Sequence, residues 1–466
     1  MQNHKNEKSL KAHIVEYEAM SQKGTVGFIE ETVFILFIEY YLKVHKSCKA
    51  LEVVEHAIAQ YPYSADFYIW KGQILIYSEL FEEAFEALET AATFAPTSIR
   101  IALLKVKALM ELDYIAEAFE IIDTTKQIAL GESLSQIYFS EAQIFETLGE
   151  YQRMYESLHY ALTIFPGHEE ALEQMVWAVE MIGNYEESIE LHTAILDQYP
   201  YSDRAWFNLG FAYSGLENYE MAIEAYEYAF IANHDNENAY RECAYSYIKV
   251  KKFDKALACY DEAKDKIKPD SDFLLNIGYC YESLGDSARA FAYYEKALKL
   301  RPQNDQAYFR IGACYAQNKD WNNAVKYYKK AVQINGRKEE YFAGLGEAFY
   351  QTNQIEKARQ VFQKAADTAP ETSEYWLRYA TFLLDINEVE AALHILDEAE
   401  IYTQGTVLLY CRIVCLIKLG KRGKALYILG EALINDYKKH TCIFDLMPSL
   451  KNDKDVLKLL KKYKSS

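Results

Sequence analysis

The sequence predicts an all-α protein built from about twelve copies of one helical hairpin. Three observations carry this: prolines spaced near multiples of 34 residues, small residues recurring at fixed places in that period, and two amphipathic helical patterns per period.

The first seven prolines, Pro62, Pro96, Pro166, Pro200, Pro269, Pro302 and Pro370, are separated by 34, 70, 34, 69, 33 and 68 residues. Self-similarity at a fixed period of this size marks a repeat array. The phrase QYPYSADFYIWKG from Gln60 returns as QYPYSDRAWFNLG from Gln198, a distance of 138, which is four periods plus two. The extra pair is assigned to TTKQIALGESL, residues 124–134, where a proline is also missing.

Laid out at 34, the units run from residue 31 to residue 439. In residues 203–236, Trp206, Leu209, Gly210 and Tyr213 share one helical face, and Ala222, Tyr226 and Ala229 share a second. The twentieth position is Ala in ten units, from Ala50 to Ala425, with Met154 and Ser188 as exceptions. The eighth is Gly at Gly72, Gly210, Gly278, Gly312 and Gly346. A glycine within a helix costs roughly 1 kcal/mol relative to alanine, so its recurrence predicts close approach of the paired helix. Proline precedes the next first helix, ending one helix and pre-shaping its successor.

This pattern resembles the tetratricopeptide repeat family, whose W-x2-L-G-x2-Y signature is matched by Trp206, Leu209, Gly210 and Tyr213. Departures fall in residues 99–134, where Lys105 and Val106 replace the Leu-Gly pair, and in the last unit, 406–439, which lacks a terminal proline. The resemblance implies a right-handed α-α superhelix, a solenoid whose first helices line a concave groove. Residues 1–30 then hold an N-terminal capping helix, near 8–24, and residues 440–466 a C-terminal one, since end units need one polar face.

The composition bounds the function. Half the residues are apolar, enough for a core, and 69 acidic against 50 basic residues give a net charge of -19, which opposes general attraction to nucleic acid or anionic membrane. The start has no apolar signal region and VFILFI, from Val33, is too short to span a bilayer, so a cytoplasmic protein is expected. The eight cysteines show no C-x-x-C pair, and Cys411 and Cys415, four apart, fit a shared core face. Histidines lack metal spacing, GLG at Gly344 and GKRGKA from Gly420 lack the rest of a nucleotide fingerprint, and no nucleophile elbow is present. No enzyme activity, metal or cofactor is expected. The tyrosines at the eleventh position (Tyr213, Tyr247, Tyr281, Tyr315) and at the twenty-fourth (Tyr226, Tyr260, Tyr294, Tyr328) read as core.

The expected function is a non-catalytic scaffold that binds protein or peptide partners in its groove. In the family, the second, fifth, sixth and ninth positions of each first helix face that groove. Here they include Arg204, Phe207, Asn208, Phe211, Arg241, Tyr245, Asn276, Tyr279, Phe309 and Arg310. Family members that hold a terminal carboxylate use Lys, Asn, Asn, Lys and Arg where this chain offers Arg241, Tyr245, Asn276, Gln306 and Arg310. An acidic or carboxylate-ended peptide is the expected ligand. Two other readings stay open. A peptide sensor would flex at 124–134, and an RNA-binding repeat would stack bases on Tyr245, Tyr279 and Phe309, against the net charge.

Charge is also uneven. Residues 135–236 carry two basic and eighteen acidic residues (-16), whereas residues 237–338 carry nineteen and thirteen (+6). Surfaces of opposite sign predict salt-sensitive self-association. The tail KNDKDVLKLLKKYK reads as a cap helix with snorkelling lysines rather than a membrane contact.

Overall fold

The computed structural model describes residues 13–22, 26–264 and 266–463. They are helical with short connections, and twelve antiparallel helix pairs follow one another. First helices begin at Glu31, Ala65, Ile99, Glu132, Glu169, Asp203, Glu237, Ser271, Asp305, Glu339, Ser373 and Thr406. Second helices begin at Ser47, Phe81, Ile115, Tyr151, Tyr185, Tyr219, Phe253, Ser287, Trp321, Ile355, Val389 and Arg422. The pairs are numbered here as repeats 1 to 12, with positions counted from residues 31, 65, 99, 135, 169, 203, 237, 271, 305, 339, 373 and 406. The chain divides into two compact units, residues 1–246 and 247–466. Each is a stretch of α-solenoid in which a repeat packs on its neighbours.

Within a repeat, position 8 of the first helix meets position 24 of the second. A Cβ added to Gly210 would lie 2.7 Å from the Tyr226 ring, and one added to Gly278 would lie 2.5 Å from the Tyr294 ring. Tyrosine at position 24 stands only opposite Gly210, Ala244, Gly278 and Gly312, whereas Ile38, Val106 and Ile413 at position 8 stand with the aliphatic Val54, Ile122 and Leu429. Position 20 is fully buried in the ten alanine repeats, and Met154 and Ser188 are buried as well.

Position 15 closes the hairpin with left-handed backbone in all twelve repeats. Glycine supplies it at Gly149, Gly183, Gly285 and Gly420, and residues such as Glu79, Glu217 and Lys319 adopt φ of 57° to 59° elsewhere. Each non-glycine residue there costs roughly 1 to 2 kcal/mol, which the packed helices on either side hold in place.

At three repeat junctions a proline carbonyl is tied to the helix that follows. The Trp206 indole donates to Pro200 O at 2.9 Å, the Trp376 indole to Pro370 O at 2.8 Å and the Tyr68 hydroxyl to Pro62 O at 3.3 Å. The aromatic stands at position 4 in all three, so the phrase repeated at Gln60 and Gln198 encodes one joint used twice. On the far side, a cation at position 7 pairs with an acid at position 25 of the preceding repeat, as in Lys71–Glu55 (2.6 Å) and Arg412–Asp397 (2.9 Å).

Three expectations need amendment. The two extra residues near 124–134 are taken up by a shift of helix ends. The second helix of repeat 3 ends early, at Lys126, and the next helix, Glu132–Leu148, starts three residues ahead of register after Gly131 at φ 56°. Tyr213, Tyr281 and Tyr315 at position 11 are half-buried rather than core, whereas position 24 is buried throughout. Residues 437–463 form four short elements, Tyr437–Thr441, Cys442–Leu446, Pro448–Asn452 and Lys454–Tyr463, rather than one helix. Pro448 lacks an N–H donor and interrupts the ladder. Ile443, Leu450, Val456 and Leu460 are buried, and Arg422 anchors the segment to Asp453 at 2.7 Å. At the other end residues 13–22 are helical and Ile14 and Tyr17 are buried, while residues 8–12 and 23–24 of the expected cap lie outside the described residues.

Candidate functional site

The residues expected to face a groove fall into two sets. Arg204, Phe207, Asn208 and Phe211 lie in the first unit with Arg241 and Tyr245, and Asn276, Tyr279, Phe309 and Arg310 lie in the second.

In the first unit, Arg204, Phe207 and Asn208 share a cavity of about 560 Å³ with Glu173, Val176 and Asp203. Ser202 starts this helix by accepting a hydrogen bond from Ala205 N, which puts Arg204 on its first turn. The guanidinium lies 3.2 Å from Glu169 and 3.4 Å from Glu173, both well exposed. Asp203 accepts from the side-chain amides of Asn233 (2.9 Å) and Asn236 (3.0 Å), which pins the following turn over the cavity. Carboxylates outnumber the single cation here. Phe207 packs against Tyr226 and Phe211 against Tyr185, each half-buried. On the helix Glu237–Lys249, Arg241 is half-buried and Tyr245 is 40% exposed. Beside them burial raises the carboxyl pKa of Glu242, opposed by the charge of Arg241.

Asn208, at the wall of this cavity, turns its amide inward. It is buried, and its amide donates to Leu172 O (2.7 Å) and to His192 Nε2 (3.1 Å). His192 Nδ1 in turn donates to Ser188 O at 2.7 Å, which fixes the tautomer. Burial pushes the His192 pKa down to about 4, so the ring is neutral. Ser188 and His192 occupy positions 20 and 24, where the other repeats hold alanine or Met154 and an apolar side chain or a tyrosine. The departure at Ser188 is visible in the sequence, but its link to Asn208 requires the packing of repeats 5 and 6.

In the second unit the Arg310 guanidinium lies 4.6 Å over the Tyr279 ring and 3.4 Å from Glu282. Glu282 is largely buried and also accepts from the Tyr294 hydroxyl. Burial first, and then this carboxylate, raise the Tyr294 pKa far beyond the phenol range. Phe309 packs on Tyr341 (4.8 Å) and Tyr328 (5.4 Å). Asn276 is half-buried, and among the described residues its amide makes no hydrogen bond. Asp305, on the first turn of the Arg310 helix, accepts from Asn335 and Tyr341, and these bonds outweigh burial and hold its pKa below the usual range. Glu282 was not anticipated, and Tyr294 was expected only as core. A carboxylate at position 12 carries no sign in the sequence that it reaches an arginine 28 residues on.

The geometry therefore defines an α-solenoid with accessible first-helix side chains. Residues 65–98, 203–230 and 271–304 match one tetratricopeptide repeat model, residues 289–338 a second and residues 315–378 a third. The chain is a tetratricopeptide repeat protein. No curated protein matches the sequence. Among solved structures it is similar to the APC/C hetero-tetramer Cut9-Hcn1, at 15% identity and a TM-score of 0.39 over 94% of this chain and 96% of that one. It is also similar to YrrB, a TPR protein with an unusual peptide-binding site, at 18% identity and 0.33 over 40% and 95%. MamA from Desulfovibrio magneticus RS-1 matches at 25% identity and 0.33 over 36% and 94%. At these TM-scores none of the three bears on function. No helix among the described residues is long and apolar enough to cross a membrane.

Proposed function

We propose that the protein is a non-catalytic scaffold that holds peptide segments of partner proteins against its first helices, and that the second unit takes an acidic or carboxylate-ended segment. The observation that carries this is Arg310. Its guanidinium is held by Glu282 and the Tyr279 ring, yet the side chain is 36% exposed, so N–H donors beyond the one facing Glu282 stay available. Asn276 and Phe309 supply an amide and an apolar wall on neighbouring helices. Preorganisation of this kind lowers the entropic cost of binding. Glu282 offsets part of the arginine's charge, which points to a low-micromolar or weaker affinity. The opposite charge of residues 135–236 and 237–338 supports, besides, a salt-sensitive self-association of the chain.

The test is a fluorescence-anisotropy titration of acidic C-terminal peptides and their amidated forms. Arg310→Ala is expected to weaken binding by about 1 to 2 kcal/mol, one charge-assisted bond discounted for exposure, with Asn276→Ala smaller. Binding that is unchanged in Arg310→Ala removes this site.

A further inference from the structure

We propose that one copy of the protein docks on another through the outer stripes of their second helices, basic repeats 8 and 9 on acidic repeats 5 and 6. The inference rests on the self-association reading and names its two surfaces.

Positions 18, 22, 26 and 29 follow one another at intervals of four, four and three, so they form one stripe along a second helix. In repeats 8 and 9 this stripe is exposed at every position, and its charged members are Lys296, Lys299, Lys326 and Lys330. Its remaining places hold Ala288, Ala292, Asn322 and Gln333. None of the four lysines is in an ion pair among the described residues, and none has a carboxylate on its own stripe. In repeats 5 and 6 the same stripe is again exposed at every position and carries Glu186, Glu190, Asp197, Glu220 and Glu224. Neither of those helices contains a lysine or arginine.

Both stripes are two repeats wide and stand on the same hairpin scaffold, so neighbouring rows of charge have the same spacing in each. Rows of carboxylates can then face rows of ammonium groups in register. Each face also offers apolar surface. Tyr228 and Ile231, on the acidic stripe, are 54% and 60% exposed, with Tyr228 stacked on Trp206 at 4.6 Å. Beside the basic stripe, Tyr281 stacks on Tyr293 and Tyr315 on Tyr327, and Lys296 lies 4.5 Å over the Tyr293 ring. These pairs are the half-buried tyrosines that the core does not account for. The two faces are different surfaces, so the contact is heterologous and leaves a free stripe of each sign, which allows growth beyond a dimer.

The experiment is sedimentation velocity of the full chain at about 0.05 M and about 0.5 M salt, where screening changes from weak to strong. Species larger than a monomer are expected at low salt and monomer at high salt. The variant with Lys296→Glu, Lys299→Glu, Lys326→Glu and Lys330→Glu is expected to be monomeric at both, as is the variant with Glu186→Lys, Glu190→Lys, Glu220→Lys and Glu224→Lys. Mixed together, the two are expected to associate, because each now presents on both stripes the charge its partner lacks. All eight sites are exposed, and a Lys→Gln series at the four lysines, expected to weaken association about tenfold or more, gives the same answer with less charge change. A monomer at low salt overturns the self-association reading and this docking together. Salt-sensitive assembly that survives both reversals, or reversed variants that fail to associate when mixed, overturns the docking alone.

Discussion

Repeats 5 and 8 fill the same interior positions by opposite means. In repeat 8, Gly278, Ala290 and Tyr294 stand at positions 8, 20 and 24, and the ring packs on Gly278 with no room for a methyl group. In repeat 5, Val176, Ser188 and His192 take those places, and polar contacts replace part of the volume. Asn208 of the next repeat completes the set, so the buried imidazole has a partner at each nitrogen. The packed version depends on shape and is indifferent to pH, whereas the polar version depends on a protonation state. A satisfied buried polar group is nearly free of cost, but charging it is not.

The largest expected effect concerns that protonation state. His192 titrates near 4 in the folded protein and near 6.5 when unfolded. The unfolded chain thus binds more protons between these values, so the neutral ring's stabilisation is complete above pH 6.5 and is lost as pH falls towards 4. About 3 kcal/mol is at stake. Hydrogen exchange of the repeat 5 helices should show this loss. The combined variant Val176→Gly, Ser188→Ala and His192→Tyr, which rewrites repeat 5 in the manner of repeat 8, should show little of it. An equal loss in the variant would mean that carboxylates elsewhere cause it.

Ala290→Leu probes the packed version. It should overfill the contact and cost roughly 1 to 3 kcal/mol in thermal melting, while Lys299→Leu on the exposed face should cost almost nothing. Equal losses at the two sites would break the register of repeat 8. Asn208→Ala comes next, about 1 to 2 kcal/mol, from leaving Leu172 O and His192 Nε2 without their donor. A drop in peptide affinity with unchanged melting would instead return Asn208 to the groove. The smallest effect is a gain: Glu217→Gly, at a left-handed turn residue, should raise stability by up to about 1 kcal/mol, since glycine meets no Cβ penalty there.

The repeat was legible because its signals recur. One alanine at position 20 says little, but ten of them, with prolines at the same spacing, locate every hairpin. Glycine at position 8 announced a close approach, and the Tyr226 and Tyr294 rings supply it. What did not recur could not be read in this way. Asn208 sits at a position that faces the groove in the family, and only the neighbouring histidine turns it inward. The tyrosines of position 11 follow the period as faithfully as those of position 24, yet periodicity does not say how deep a side chain lies, and Tyr281 and Tyr315 are half-exposed. Arg310 was legible as a cation on a first helix, but Glu282, which sets its orientation, was not.

The rule that a tyrosine at position 24 faces only glycine or alanine at position 8 also restricts the order in which a repeat can change. A tyrosine introduced at position 24 of repeat 12, in place of Leu429 and opposite the buried Ile413, overfills the contact unless the facing residue is already small, and a glycine introduced first at Ile413 leaves a void. Either step alone is penalised, and the two together are not, so the pair is coupled in the sense of a double-mutant cycle. Repeat 7 shows the passable intermediate: Ala244 and Tyr260 coexist, both buried. A lineage moving between aliphatic and aromatic hairpins would therefore cross by way of alanine, and the tandem copies of this one chain preserve both ends of that route and its middle.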